Sequence, residues 1–314
     1  LAGAHARLNG LSSAVTFVAR PEARNDTIEL TVVVPAWNEA LRLPILLASL
    51  VDHVDVASTE VLVVDDGSED RTVEVARGFE SSLPHLRVIE HGTNHGKGAA
   101  VRTGVLQARG RLVAFVDADD ATDLSSLRPM CDAIVGPVGA VFGSRHVDGS
   151  VVSGSPPIRG LMGRVFNHVV RVAAGTNISD TQCGAKVFRA SVAAIVFADS
   201  TVDGFAFDVE ILRRLMDLEV EVVEHPVRWS YVSGSKIQLV TPIRMLTDIA
   251  RLRFGRSRFE PASVTCSFAP ELLAFAEPLD GTKPAIGSEV RVLVNDASLG
   301  TLRRRVESLG PGPS

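Results

Sequence analysis

Cysteine is scarce in this chain. Cys131, Cys183 and Cys266 stand far apart in 314 residues, with no CxxC spacing. That excludes a thiolate zinc site and a disulfide-built scaffold, and the three read as buried thiols of a reducing compartment, with one pairing left open. No apolar run reaches about 18 residues, so a transmembrane helix is not expected. The N-terminus carries Arg7, Arg20 and Arg24 without a long apolar core, so neither is a signal peptide. Charge of one sign is not in excess either. A formal net charge of −5 gives no global attraction to nucleic acid or to an anionic membrane, and nucleic acid is not an expected partner. Nucleotide signatures of the common kinds are also missing. Gly92 and Gly96 are too close for a P-loop, Gly98 stands where Ser or Thr would follow Lys97, and no GxGxxG opens the first helix.

What the chain has is an apolar content of 46%, normal for a packed globule, set in a repeating rhythm. Residues 1–26 are mixed and polar-leaning and read as an irregular arm. Ile28–Val34 is an apolar, β-branched run closed by Pro35, as a buried strand would be. Asn38 is placed to cap a helix through about His53. Val61–Val64 is a second strand, and Ser68 or Asp70 caps a helix towards Phe79. Leu86–Ile89, a Gly-rich loop over 92–98, a helix to about Ala108 and Leu112–Val116 complete the pattern. Strands alternating with helices predict an α/β fold, a mostly parallel sheet with helices on both faces. Ligands of such sheets bind beyond the C-terminal strand ends. Asn38, Glu39, Asp65, Asp66, Lys97, Asp117 and Asp119 collect there.

After about Gly143 the rhythm changes. Residues 158–174 read as a helix that mixes apolar side chains with Arg159, Arg164, His168 and Arg171. Lys186–Arg189 is a short strand, Phe205–Leu218 a helix, Val220–Trp229 a strand, and 243–259 an arginine-rich apolar segment. Residues 158–174 and 243–259 are expected to lie on a membrane surface. The expected organisation is one domain over 27–260, with a donor half at 27–143 and an acceptor half at 144–260. Residues 261–314 form an extension with one strand (Val290–Val294) and one helix (Leu299–Leu309).

Val113–Val116 is an apolar strand followed by Asp117-Ala118-Asp119. Side chains alternate along a strand, so Asp117 and Asp119 can approach one point just past its end. Two hard oxygen ligands there suit Mg²⁺ or Mn²⁺ carrying a substrate diphosphate. A polar turn is the bland alternative, and an aspartyl-phosphatase is a second, although Ala121 stands where such enzymes show Thr or Val.

Four pieces occur in order at successive strand ends: Val34-Pro35-Ala36-Trp37-Asn38-Glu39, Val64-Asp65-Asp66-Gly67-Ser68-x-Asp70-x-Thr72, Asn94-x-Gly96-Lys97-Gly98-Ala99 and Asp117-Ala118-Asp119. Together they resemble a family 2 glycosyltransferase of the GT-A fold, over roughly residues 28–240. Gly143-Ser144-Arg145, Asp180-Thr181-Gln182-Cys183-Gly184-Ala185-Lys186, Phe207-Asp208-Val209-Glu210 and Gly234-Ser235-Lys236 resemble its polyprenyl-phosphate branch, in particular the dolichyl-phosphate β-glucosyltransferases. Asp120 stands where that group more often has Gly, and Ala185 where it often has an aromatic.

The resemblance implies an inverting enzyme moving a hexose, with UDP-glucose the expected donor and a polyprenyl phosphate the acceptor. It implies nucleotide-sugar contacts at Pro35, Asn38, Glu39, Asp65, Asp66, Gly96, Lys97, Asp117 and Ala118, and a metal on Asp117 and Asp119. An anionic acceptor needs cations rather than a strong base, and Arg145, Arg228 and Lys236 are the candidates, with Arg159, Gln182 and Ser235 beside them. A sugar hydroxyl as acceptor would instead need a carboxylate base, Asp208 or Glu210, of which at most one can face the site. GDP-mannose as donor and a silent nucleotide-sugar binder are the remaining alternatives. The expected location is the cytoplasmic face of a membrane, peripherally attached.

Overall fold

The computed structural model describes residues 15–19, 27–154, 175–232, 261–279, 284–295 and 299–308, with short stretches within 167–172 and 245–259. In chain order the strands are β1 (Val15–Ala19), β2 (Leu30–Ala36), β3 (Thr59–Asp65), β4 (Leu86–Glu90), β5 (Leu112–Val116), β6 (Val138–Ser144), β7 (Val151–Ser153), β8 (Ala185–Arg189), β9 (Glu221–Pro226), β10 (Arg228–Ser230), β11 (Ala262–Ser267), β12 (Ala276–Pro278) and β13 (Glu289–Val294). Seven form the main sheet in the order β4-β3-β2-β5-β8-β6-β9. Its ladders are parallel except where β8 runs antiparallel between β5 and β6.

Alternation along the central strands divides the core into two layers. Val33, Leu62, Val64 and Phe115 face one side with Ala100, Val101 and Val105 of helix α3 (Lys97–Gln107) and the helices Ala190–Ala198 and Phe207–Asp217. Val32, Val34, Val61 and Val63 face the other, against Leu43, Leu46, Leu47 and Leu50 of the helix Leu43–His53. Each of these Val, Leu and Phe side chains contributes about 1.5–3 kcal/mol by leaving water. This is the α/β sheet with helices on both faces that the alternating pattern predicts.

The chain order reverses beside β2: β3 and β4 lie on one side, β5 on the other. Pro35 marks the same place. The ladder from β2 to β5 stops at Val33–Phe115, whereas that to β3 runs on to Ala36–Asp65. A crevice beyond the strand ends at such a switch point is the expected ligand site.

Two expectations are corrected. Residues 1–26 are not wholly an irregular arm, because Val15–Ala19 is a strand. It lies in a second sheet, ordered β11-β13-β1-β12, built from both ends of the chain. Phe17, Val290, Val292 and Val294 pack there with Phe268, Leu272 and Leu302. The opposite face of this sheet sends Val18, Leu279 and Leu293 into the main core. Asn38 does not cap the first helix, which begins at Leu43 after Arg42. Its backbone is left-handed (φ 54°), and its side chain is used elsewhere.

Among the described residues no helix is long and apolar enough to cross a membrane. Within the segments 158–174 and 243–259, residues 167–168, 170–172, 245, 247–249 and 251–252 are helical, and Val170, Met245 and Ile249 pack on Ala206 and Val209. The three cysteines are free thiols, Cys183 fully buried and the others half-buried.

Candidate active site

The crevice is stitched together by short polar side chains. Asn38 N–H donates to Ser68 Oγ (2.8 Å), Glu39 N–H to Thr72 Oγ1 (2.7 Å), and Ala40 N–H to Asp70 Oδ2 (3.2 Å). Glu69 N–H returns a bond to Asn38 Oδ1 (2.8 Å). Ser68, Asp70 and Thr72 therefore clamp the loop after β2, and Ser68 does not act as the helix cap that its position suggests. Gly67 completes the turn with φ 72°, where a Cβ would fall 2.6 Å from Thr93 backbone carbon.

Asp65 and Asp66 are both buried. Asp65 Oδ2 accepts from Ser68 N–H (3.0 Å), while its Oδ1 is buried with no hydrogen-bond partner among the described residues. Asp66 organises the next loop: its carboxylate accepts from His91 Nδ1 (2.8 Å), His95 N–H (3.0 Å) and Gly96 N–H (2.7 Å). Glu39 is buried and holds the Arg42 guanidinium at 2.6 Å. Gly96 has φ 109°, and a Cβ there would meet Asp203 carbonyl oxygen at 2.5 Å. That carbonyl accepts from Gly98 and Ala99 N–H (2.7 and 3.2 Å). The first turn of α3 is thus capped by residue 203, and Lys97 is what this turn offers the crevice.

Asp117 and Asp119 follow β5, with Ala118 between them buried. Lys97 Nζ lies 2.6 Å from Asp117 Oδ1, an ion pair on a buried oxygen that accepts no further hydrogen bond among the described residues. Gly184 permits the close packing here. Its carbonyl accepts from Asp117 N–H (3.0 Å), and a Cβ at 184 would fall 2.4 Å from Asp117 Oδ2. Burial and the neighbouring Asp117 charge push the Asp119 carboxyl above its ordinary range, against the pull of Ala121 N–H, Lys97 and Arg42. For Lys97, burial works downward, but Asp117, Asp208 and Asp119 outweigh it and raise its pKa.

The donor set fits a divalent ion. Two crowded carboxylates, one with a buried oxygen met only by Lys97 among the described residues, would be relieved by such a charge. Among the described residues no group of three or more His, Cys, Asp or Glu could complete an all-protein cage. Substrate phosphates and water would supply the other ligands, as is usual for Mg²⁺.

Arg145 closes the crevice from β6. Its Nε and Nη2 donate to fully buried Asp180 at 2.7 and 2.9 Å, and its guanidinium lies over the Trp229 ring, 5.5 Å from the centroid. Burial works against this charge, but Asp180 and, more weakly, Asp117 raise its pKa. Gln182 sits in the Asp180 turn, its N–H bonded to Asp180 Oδ1 (3.2 Å). Arg228 is exposed on β10, where its carbonyl accepts from Asp123 N–H (2.9 Å). Arg159, Ser235 and Lys236 lie outside the described residues.

Asp208 and Glu210, in the first turn of the Phe207–Asp217 helix, are both buried. Asp208 Oδ1 accepts from Lys186 Nζ (2.8 Å); burial raises its pKa, while Lys186 and Lys97 oppose the rise. Glu210 ties down Thr201 and Val202 N–H (2.8–3.0 Å) and pairs with Arg214 (2.9 Å). Asp180 and Lys186 had no role in the sequence reading. The signal was present, since both belong to the Asp-x-Gln-Cys-Gly-x-Lys stretch.

Comparison with known proteins bears on family and fold. The family model described as "Glycosyl transferase family 2" matches residues 31–197. A dolichyl-phosphate beta-glucosyltransferase of Trichomonas vaginalis is 33% identical over 235 residues, covering 71% of this chain and 70% of the relative. Its namesake in Drosophila melanogaster is 37% identical over 227 residues, covering 67% and 70%. Among solved structures, glucosyl-3-phosphoglycerate synthase of Mycobacterium tuberculosis, in complex with Mn²⁺, UDP and glucosyl-3-phosphoglycerate, superposes with TM-score 0.55 at 16% identity. It covers 84% of this chain and 90% of that one, a likeness of fold.

Proposed function

The chain belongs to glycosyl transferase family 2, and from that membership we propose that it transfers glucose from UDP-glucose to a polyprenyl phosphate of the dolichyl type, giving a β-linked lipid phosphosugar and UDP. The observation that carries the reading is the pair Asp117 and Asp119 at the switch point, flanked by two cations, Lys97 and Arg145. A divalent metal on the two carboxylates would supply charge neutralisation for the departing diphosphate. A phosphate oxygen of the acceptor attacks the sugar C1 as the bond from C1 to the UDP oxygen breaks, and the bonding electrons leave with UDP.

A phosphomonoester is largely ionised near neutral pH, its second pKa being about 6, so no proton has to be removed. The chain's carboxylates agree with this. Asp208 is bonded to Lys186 and Glu210 to Thr201, Val202 and Arg214, which leaves neither as an open base for a sugar hydroxyl. The relatives' names, dolichyl-phosphate beta-glucosyltransferase, support a glucosyl group and a dolichyl-type acceptor. We place the enzyme peripherally on the cytoplasmic face of a membrane, held through the segments at 158–174 and 243–259.

The test is transfer of label from UDP-glucose to a short polyprenyl phosphate with Mg²⁺ or Mn²⁺, with GDP-mannose run in parallel. The expected product is a mild-acid-labile labelled lipid from UDP-glucose. Product from GDP-mannose alone would reassign the donor. Donor binding without turnover, unchanged when both aspartates are replaced, would mark a silent binder.

A further inference from the structure

Arg145 is held more firmly than a phosphate-binding arginine requires. Its backbone N–H also donates to Asp180 Oδ2 (3.0 Å), so strand end and side chain share one carboxylate. The Asp180 turn is itself anchored. Glu224 accepts from Ser179 and Asp180 N–H at 2.7 and 3.0 Å. Buried Asn167 accepts from Thr181 N–H and hydroxyl at 3.4 and 3.2 Å. A buried aspartate is costly unless paired, and here it is paired with one edge of one guanidinium.

The geometry of that edge matters. Asp180 takes the inner edge of the fork, Nε and Nη2. Of the five N–H donors of an arginine, the two on Nη1 and one on Nη2 then remain. Among the described residues no acceptor meets Nη1. The ring of Trp229 fixes the plane, since a guanidinium on an aromatic face cannot roll freely. The outer edge is therefore a preset pair of donors with the spacing of two phosphate oxygens.

We infer that Asp180 and Trp229 are positioning residues that fix the plane and outer edge of Arg145 to grip the phosphomonoester of the acceptor, leaving its third oxygen to attack. This rests on the transfer reading above for the identity of the acceptor. The chemistry recognised is a terminal phosphate on an apolar chain, as distinct from the donor diphosphate.

The test uses the full chain and the variants Asp180→Asn, Arg145→Lys and their double. Binding of citronellyl phosphate and of inorganic phosphate is measured by calorimetry, binding of UDP with Mn²⁺ separately, and transfer kinetics with each substrate varied. Asp180→Asn is expected to weaken citronellyl phosphate binding and raise the acceptor KM at least tenfold, with UDP affinity within twofold of wild type. Arg145→Lys is expected to lose as much, and the double variant no more than Arg145→Lys alone. A purely structural role would instead lower UDP affinity in step, or leave the two losses multiplicative. Either result overturns the inference, as does wild-type acceptor affinity in Asp180→Asn. Trp229→Leu, which leaves the buried pair intact, keeps the question open to test if Asp180→Asn unfolds: a severalfold rise in acceptor KM supports the inference and an unchanged KM ends it. Stronger binding of citronellyl than of inorganic phosphate identifies the lipid headgroup, and the reverse order overturns that assignment. If wild type makes no lipid product, the transfer reading fails. The positioning claim is still decided by whether wild type binds citronellyl phosphate and Asp180→Asn does not.

Discussion

Lys97 Nζ stands 2.6 Å from Asp117 Oδ1, so the nearest cation to this carboxylate is a side chain of α3. A lysine in that position competes with a divalent ion for the same oxygen. Two unit charges 4 Å apart interact by about 4 kcal/mol at the effective dielectric of a protein surface, and a closer pair by more, so the competition is large enough to measure. Lys97→Met is expected to bind Mn²⁺ about tenfold more tightly in the absence of nucleotide, as read by electron paramagnetic resonance, and to turn over more slowly. Weaker Mn²⁺ binding by the variant would show that Lys97 supports the site instead of competing for it.

Lys186 and Asp208 form a pair with 1% and 6% of their side chains exposed. Lys186 also donates to Cys183 carbonyl oxygen (2.8 Å) and sits between the rings of Phe115 and Phe142, 5.1 and 5.0 Å from their centroids. Removing one partner strands a buried charge. Lys186→Met alone is expected to cost about 3–5 kcal/mol in urea unfolding, and Lys186→Met with Asp208→Leu to recover most of that loss. Additive losses in the double variant would contradict a coupled pair.

The Asp180 carboxyl has an acid signature. Burial pushes its pKa up, but the Arg145 guanidinium outweighs burial and holds it below the ordinary 3.8. A carboxyl depressed by folding contributes stability in full above its unfolded value and loses it as pH falls through the folded one. The difference in unfolding free energy between wild type and Asp180→Asn should therefore be level from about pH 8 to 5 and shrink only below 3.8. A difference that already narrows between pH 8 and 6 would assign the titration to another group.

The parallel half was legible because Val61–Val64 and Leu112–Val116 are short apolar runs separated by helix-length segments. Strand β6 was not, since Gly139 and Gly143 weaken its pattern. Packing explains them: a Cβ at 139 would meet Val220 Cγ1 at 2.4 Å, and one at 143 would meet Ala185 carbonyl oxygen at 3.0 Å. Strand β1 pairs with β12 and β13 near the other end of the chain, a contact that no local pattern encodes. In the site, Asp117, Asp119, Lys97 and Arg145 were readable from motif order. Asp180 and Lys186 stood in a motif too, but their pairings did not, because Asp180 on Arg145 and Lys186 on Asp208 join residues from different elements.

The most direct measurement on the central claim is phosphorus NMR of the lipid product made from UDP-glucose and a polyprenyl phosphate. Attack by the acceptor phosphate on C1 predicts a single phosphodiester resonance, with UDP released in equal amount. A pair of diphosphate resonances together with UMP would mean that the sugar travelled with its phosphate, and would contradict the account.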